Sequence, residues 1–260
     1  MFAWLARRRT EASAKAHDAA MAAARQAFDA GEFAKAREIW AELAQSGLAR
    51  AESNLAGLYA EGLGVARDPV EAARLFRLAA EAGDAIAQQN LALLYYEGRG
   101  TDGDLALSAT WYRRAAEAGL VDAANMLSWM HYEGVGVERD YGEAKRWAEA
   151  AAAKGSASAA CRLGQIHHNA QGVLRNPAAA ARWFEIAARA GDGEAQAMLG
   201  AAYHLGLGIE ADQAQAHRWL SRAATQGNET ARGFLVRVGE RLTKAERARA
   251  DALIAEGDQA

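Results

Sequence analysis

From about residue 50 to residue 227 the chain repeats itself every 36 residues, and no insertion breaks the register. Leu55, Leu91, Leu127, Leu163 and Leu199 share one column. Gly83, Gly119, Gly155, Gly191 and Gly227 share another, and Asp68, Asp104, Asp140, Asn176 and Asp212 a third. Trp111, Trp147, Trp183 and Trp219 occupy one slot, which Leu75 holds in the first repeat. Such a period marks an array of small supersecondary units rather than one large core. A single unit cannot bury enough apolar surface to fold alone, but stacked neighbours cover each other.

Within a repeat the columns read as a helix hairpin. Leu55, Leu58 and Tyr59 fall at helical spacing and define the buried face of a first helix. The run Glu61-Gly62-Leu63-Gly64-Val65 ends it, because a glycine just past a helix takes the left-handed conformation without a Cβ clash. The Asp/Asn column caps a second helix, its side-chain oxygen accepting from free N–H groups of the first turn, worth about 1 kcal/mol. Pro69 and Pro177, the only two prolines, directly follow such caps, where a missing N–H costs nothing. The second helix buries the tryptophan and an Ala-Ala pair before the next glycine stops it. Burying ~200 Å² of tryptophan at ~25 cal/mol/Å² gives roughly 5 kcal/mol before entropy. Repeat 4 departs from the pattern, with Ala170 where the first loop glycine belongs, which predicts a loop of different shape.

Composition narrows the function classes. The chain has 260 residues, 51% apolar, enough for a real core in one domain or two. A net charge of −3 supplies no field toward nucleic acid. Cys161 is the only cysteine, so no intramolecular disulfide and no cysteine-rich metal site can form. The Gly-x-Gly loops end helices and lack the lysine of a phosphate cradle. His131 and His167 occupy the tyrosine slot and are expected to pack as tyrosine would, with a ring nitrogen hydrogen-bonded. His168 and His204 occupy the next slot. Equivalent atoms in adjacent repeats lie about 10 Å apart, too far to share a zinc ion at about 2.0–2.1 Å per ligand. Cys161 stands six and seven positions from His167 and His168, a spacing that makes no evident nucleophile–base pair. No catalytic residue, metal site or cofactor is therefore assigned, and the chain is predicted not to be an enzyme.

The pattern Ala-x-x-x-Leu-Gly-x-x-Tyr-x-x-Gly-x-Gly-Val-x-x-Asp, followed by Trp and Ala-Ala-x-x-Gly, resembles the Sel1-like repeat. Ala195 to Ile209 is the best match, and the resemblance covers about two thirds of the chain. It implies an all-α, right-handed α/α superhelix (a solenoid) similar to tetratricopeptide arrays. It also implies an interaction scaffold or adaptor whose partner is a protein or peptide. By the same resemblance the first helices line a concave groove. Its positions lie two before the leucine, two after it, and five and six after it. These positions are Gln89, Leu93, Tyr96 and Glu97 in repeat 2, and Asn125, Trp129, Tyr132 and Glu133 in repeat 3. They continue with Cys161, Gln165, His168 and Asn169 in repeat 4, and Ala197, Ala201, His204 and Leu205 in repeat 5. Asn125 and Gln89 are expected to grip a peptide backbone. Trp129 is singled out because Gly57, Leu93, Gln165 and Ala201 share its slot, so packing does not demand an indole there. A self-associating regulatory or structural subunit is the alternative. A hydrolase ranks third, since the cysteines of disulfide-rich relatives are missing.

The ends read differently. Residues 1–13 are expected to be a flexible tail. Membrane contact through residues 1–9, with Phe2, Trp4 and Leu5 inserting, is the minority reading. Residues 14–48 form a tetratricopeptide-like N-terminal capping hairpin. Five repeats fill 49–228, and residues 229–260 form C-terminal capping helices that fray after Gly257. Without a secretory signal or an apolar run of roughly 18–20 residues, a cytoplasmic protein is expected. Arginine-rich, alanine-rich usage points to a bacterial source.

Overall fold

The computed structural model describes residues 2–257, with side chains described over 13–255. Fourteen helices and no strand are found among the described residues. The first is α1 (Phe2–Asp29), followed by α2 (Phe33–Gln45). Each 36-residue repeat then gives two helices: α3 (Ala49–Glu61) and α4 (Pro69–Glu81), α5 (Ala85–Glu97) and α6 (Leu105–Glu117), and α7 (Val121–Glu133) and α8 (Tyr141–Ala152). The last two repeats give α9 (Ala157–His168) and α10 (Pro177–Arg189), then α11 (Gly193–Leu205) and α12 (Gln213–Thr225). Helices α13 (Glu229–Arg241) and α14 (Lys244–Gly257) close the chain.

The chain falls into two compact units. Unit 1 comprises residues 1–123 with 135–137, and unit 2 comprises 124–134 with 138–260. In unit 1 each helix from α1 to α6 packs on the next, and α3 also touches α5. In unit 2 the same holds from α8 to α13, with α9 against α11 and α11 against α13. First helices thus adjoin one another within each unit.

The column residues explain the packing. Leu91, Leu127, Leu163 and Leu199 are fully buried. Trp111, Trp147 and Trp219 are buried on the second helices. Repeat 4 differs: Trp183 is only half-buried, and the neighbouring Phe184 takes the core position. An arginine lies over each of these three rings, with Arg114, Arg146 and Arg218 centred 4.4, 4.1 and 4.8 Å from the rings of Trp111, Trp147 and Trp219. The basic residues of the second helices are therefore partly a cover for the aromatic column.

The loops are fixed by hydrogen bonds. Asp68, Asp104, Asp140, Asn176 and Asp212 accept from backbone N–H groups in the first turns of α4, α6, α8, α10 and α12. The backbone N–H of each cap also donates to the carbonyl of the tyrosine-slot residue, as Asp212 does to Tyr203 at 3.0 Å. The first helices carry caps as well, from Asp84, Ser156, Asp192 and Asn228, one residue past the repeat-ending glycine. The second loop glycine locks one repeat to the previous one: a Cβ on Gly208 would overlap the carbonyl of Pro177, and one on Gly100 that of Pro69. In repeat 4 the loop keeps its left-handed residue even without glycine, because Ala170 adopts φ 58°.

Where the sequence predicts a tail over residues 1–13, α1 is helical from Phe2 onward. Alanine and arginine are the commonest residues of that stretch, and both favour helix. The side chains of Phe2, Trp4 and Leu5, on which the membrane-contact reading turns, lie outside the described residues, as does the chain beyond Gly257. In the capping hairpin Phe28 meets Phe33 and Trp40 at ring separations of 5.3 and 5.6 Å. At the other end Thr243 and Glu246 form a reciprocal capping box. Arg249 of α14 pairs with Asp212 at 2.8 Å, docking the last helix on α12.

Candidate functional site

The first helices bury their leucine columns and leave a second face partly open. Gln89, Leu93 and Tyr96 on α5 are half-buried, as are Asn125, Trp129 and Tyr132 on α7, Gln165 and His168 on α9, and His204 on α11. Several of these side chains are already engaged. Asn125, expected to hold a peptide backbone, instead accepts from Arg162 through its side-chain oxygen at 2.9 Å and its carbonyl at 3.2 Å. Arg162 also donates to Ser128. Burial disfavours the Arg162 charge, and these acceptors compensate for its lost hydration. Gln165 donates to Glu194 of the next repeat at 2.6 Å. The Tyr132 ring meets Tyr141 edge-on at 5.5 Å.

Two of the expected groove residues, His168 and His204, stand in unit 2. His168 lines a cavity of about 290 Å³ with Phe184, Met198, Ala201, Leu205 and Phe234. His204 meets the Phe234 ring edge to face at 6.2 Å but does not line the cavity. Its orientation is set by Gln213: the Nδ1 of His204 lies 2.7 Å from the amide oxygen, and the amide nitrogen donates to the His204 carbonyl. An amide oxygen only accepts, so Nδ1 carries the hydrogen. Leu205 at the rim is 54% exposed.

Unit 1 holds a second cavity on first-helix residues, about 250 Å³, lined by Phe28, Trp40, Asn54, Gly57, Glu61 and Asn90 among others. Gln89, Leu93 and Tyr96 do not line it. Three columns line both cavities: the expected ones two and six positions after the leucine (Gly57 and Glu61 in unit 1, Ala201 and Leu205 in unit 2), and the one immediately before it (Asn54 and Asn90 in unit 1, Met198 and Phe234 in unit 2). Sequence reasoning passed over the column immediately before the leucine. Its signal is the 36-residue spacing itself, which carries one step past the last repeat to Phe234 on α13.

The titrating groups show little nucleophilic character. Cys161 is 4% exposed, and burial, reinforced by Asp192 and Glu194, pushes its thiol up and keeps it protonated. His167 does not have the hydrogen-bonded ring expected of it. Its Nδ1 is buried without a partner, and burial with nearby Lys145 holds the ring below the ordinary histidine range. Among the described residues no group of histidine, cysteine, aspartate or glutamate is placed to hold a metal ion. No helix among the described residues is long and apolar enough to cross a membrane.

Known proteins supply the context for this geometry. No match is found among curated proteins. Two solved structures are similar along most of the chain. One is a protective antigen of uropathogenic Escherichia coli displaying an SLR fold, with a TM-score of 0.83, 31% identity, and coverage of 95% of this chain but 55% of that protein. The present chain thus spans about half the length of that relative. The other is a Sel1 repeat protein from Oxalobacter formigenes, with a TM-score of 0.77, 31% identity, and coverage of 81% and 87% of the two chains. Sel1-repeat proteins are typically protein-interaction modules. The family profile described as Sel1 repeat matches residues 49–84, 85–120, 121–156, 157–192 and 193–228, so the chain belongs to the Sel1-repeat family.

Proposed function

We propose that the chain is an interaction scaffold that binds a partner protein or peptide on the open faces of its first helices, and that it is not an enzyme. The observation that carries this reading is the cavity of about 290 Å³ between α9, α10, α11 and α13. It lies near the lower end of the roughly 300–1,000 Å³ of small-molecule sites and is walled mainly by apolar side chains. That suits one large side chain of a docked segment better than a cofactor. Its floor is core, with Ala180 and Phe184, while Met198, Ala201, Leu205 and Phe234 stand at positions outside the leucine, glycine and cap columns that account for the hairpin.

A photoreactive phenylalanine placed at Leu205 tests the reading, with the same group at the exposed Ile186 of α10 as control. A discrete protein adduct from position 205 in native lysate, absent from position 186 and lost when Ala201→Trp fills the cavity, is the expected outcome. Equal labelling from both positions would sink it.

A further inference from the structure

The unit 2 cavity is electrostatically one-sided. Its lining includes Arg175 and His168 and no acidic residue. A second cation stands close by: the Arg237 guanidinium lies 6.0 Å from the Phe234 ring centre. Arg175 is also unlike its equivalents. In repeats 1 and 3 the arginine of this loop position folds back on its own first helix, Arg67 donating to the Ala60 carbonyl at 3.0 Å and Arg139 to that of Glu133 at 3.0 Å. Arg175 makes no hydrogen bond or ion pair among the described residues and lines the cavity instead. Its departure coincides with the altered loop, in which Ala170 holds the left-handed position and Leu174 is 90% exposed.

A cavity with apolar walls and a guanidinium without a counter-ion favours an occupant that is apolar in the middle and anionic beside it. The exposed rim at Leu205 leaves room for a chain to continue past the cavity. On the reading above that the chain binds peptides, we propose that this pocket takes an internal peptide segment whose large apolar side chain fills the cavity and whose neighbouring Asp or Glu pairs with Arg175.

Fluorescein-labelled nonapeptides test it by anisotropy: a Glu-Phe-Glu core flanked by Gly-Ser-Gly, a Gln-Phe-Gln analogue, a Glu-Ala-Glu analogue, and a peptide ending in Phe with a free carboxylate. The Glu-Phe-Glu peptide is expected to bind about fivefold tighter than its glutamine analogue at low salt, a preference that shrinks as salt is raised. Arg175→Gln should erase the preference and leave the glutamine analogue unchanged. Ala201→Trp should remove binding of both, and Trp129 in the same slot of repeat 3 shows that this register accepts an indole. If Ala201→Trp unfolds by circular dichroism, Leu205→Glu at the exposed rim replaces it and should weaken the acidic peptide selectively. Equal binding of the glutamate and glutamine peptides, with Ala201→Trp still disruptive, overturns the acidic partner but leaves the scaffold reading standing. Stronger binding of the free-carboxylate end than of the internal core overturns the internal segment. Binding of the alanine peptide equal to that of the phenylalanine peptide, or no binding of any peptide, overturns the pocket as an anchor.

Discussion

The two cavities sit on equivalent positions of the repeat, are both walled largely by apolar side chains, and differ in three columns. In unit 1 the column before the leucine presents Asn54 and Asn90; in unit 2 it presents Met198 and Phe234. Two positions after the leucine, Gly57 of unit 1 faces Ala201 of unit 2 in the alignment of repeats, and six positions after it Glu61 corresponds to Leu205. The hairpin beneath is the same in both, with the same buried leucines, caps and glycine locks. A repeat array therefore separates its duties by column. One set of positions sets the backbone and tolerates little change. The other varies from repeat to repeat, so one scaffold can place two asparagines in the wall of one apolar cavity and Met198 and Phe234 at the same positions in another.

This division can be broken most directly at the glycine locks. Gly100→Ala in unit 1 and Gly208→Ala in unit 2 each force a Cβ into the preceding proline's carbonyl at a positive φ. Both should cost at least about 2–3 kcal/mol in urea denaturation, whatever the pocket above them looks like. A silent variant in either unit would mean the lock is not a scaffold device there. The caps sharpen the comparison. Asp68→Ala should cost about 1 kcal/mol, the value of a helix cap. Asp212→Ala should cost more, because Asp212 also pairs with Arg249 and docks α14, a contact worth up to about 1 kcal/mol at the surface. Equal denaturation midpoints for the two variants would show that the terminal helix gains nothing from that pair. The smallest effect belongs to repeat 4: Ala170→Gly should stabilise by about 0.5–1 kcal/mol, since alanine is strained at φ 58°, whereas the reverse change Gly98→Ala at φ 64° should destabilise.

The Asp/Asn column announces the second-helix caps, and Asp68 to Asp212 perform that role in the structure. The first-helix caps carry an equally clear signal, since Asp84, Ser156, Asp192 and Asn228 follow the repeat-ending glycine, and the sequence analysis did not use it. Groove positions are harder to read. Asn125 and Gln165 have the exposure and polarity of ligand-gripping residues, yet both are held by neighbouring repeats, through Arg162 and Glu194. Polarity and helical register cannot distinguish a side chain waiting for a ligand from one bonded to the next hairpin, because the bonding partner sits more than 25 residues away.

The sequence by itself determined the repeat length, the helix hairpin, the loop conformation and the buried columns. Each of those is enforced by short-range chemistry repeated five times, so the signal adds up along the chain. Only the tertiary structure decided where a cavity opens. The unit 2 pocket requires Phe234 from beyond the last matched repeat, an arginine released from its usual backbone acceptor, and a half-empty slot at Ala201. These are single occurrences brought together by packing, and a periodicity records only what recurs.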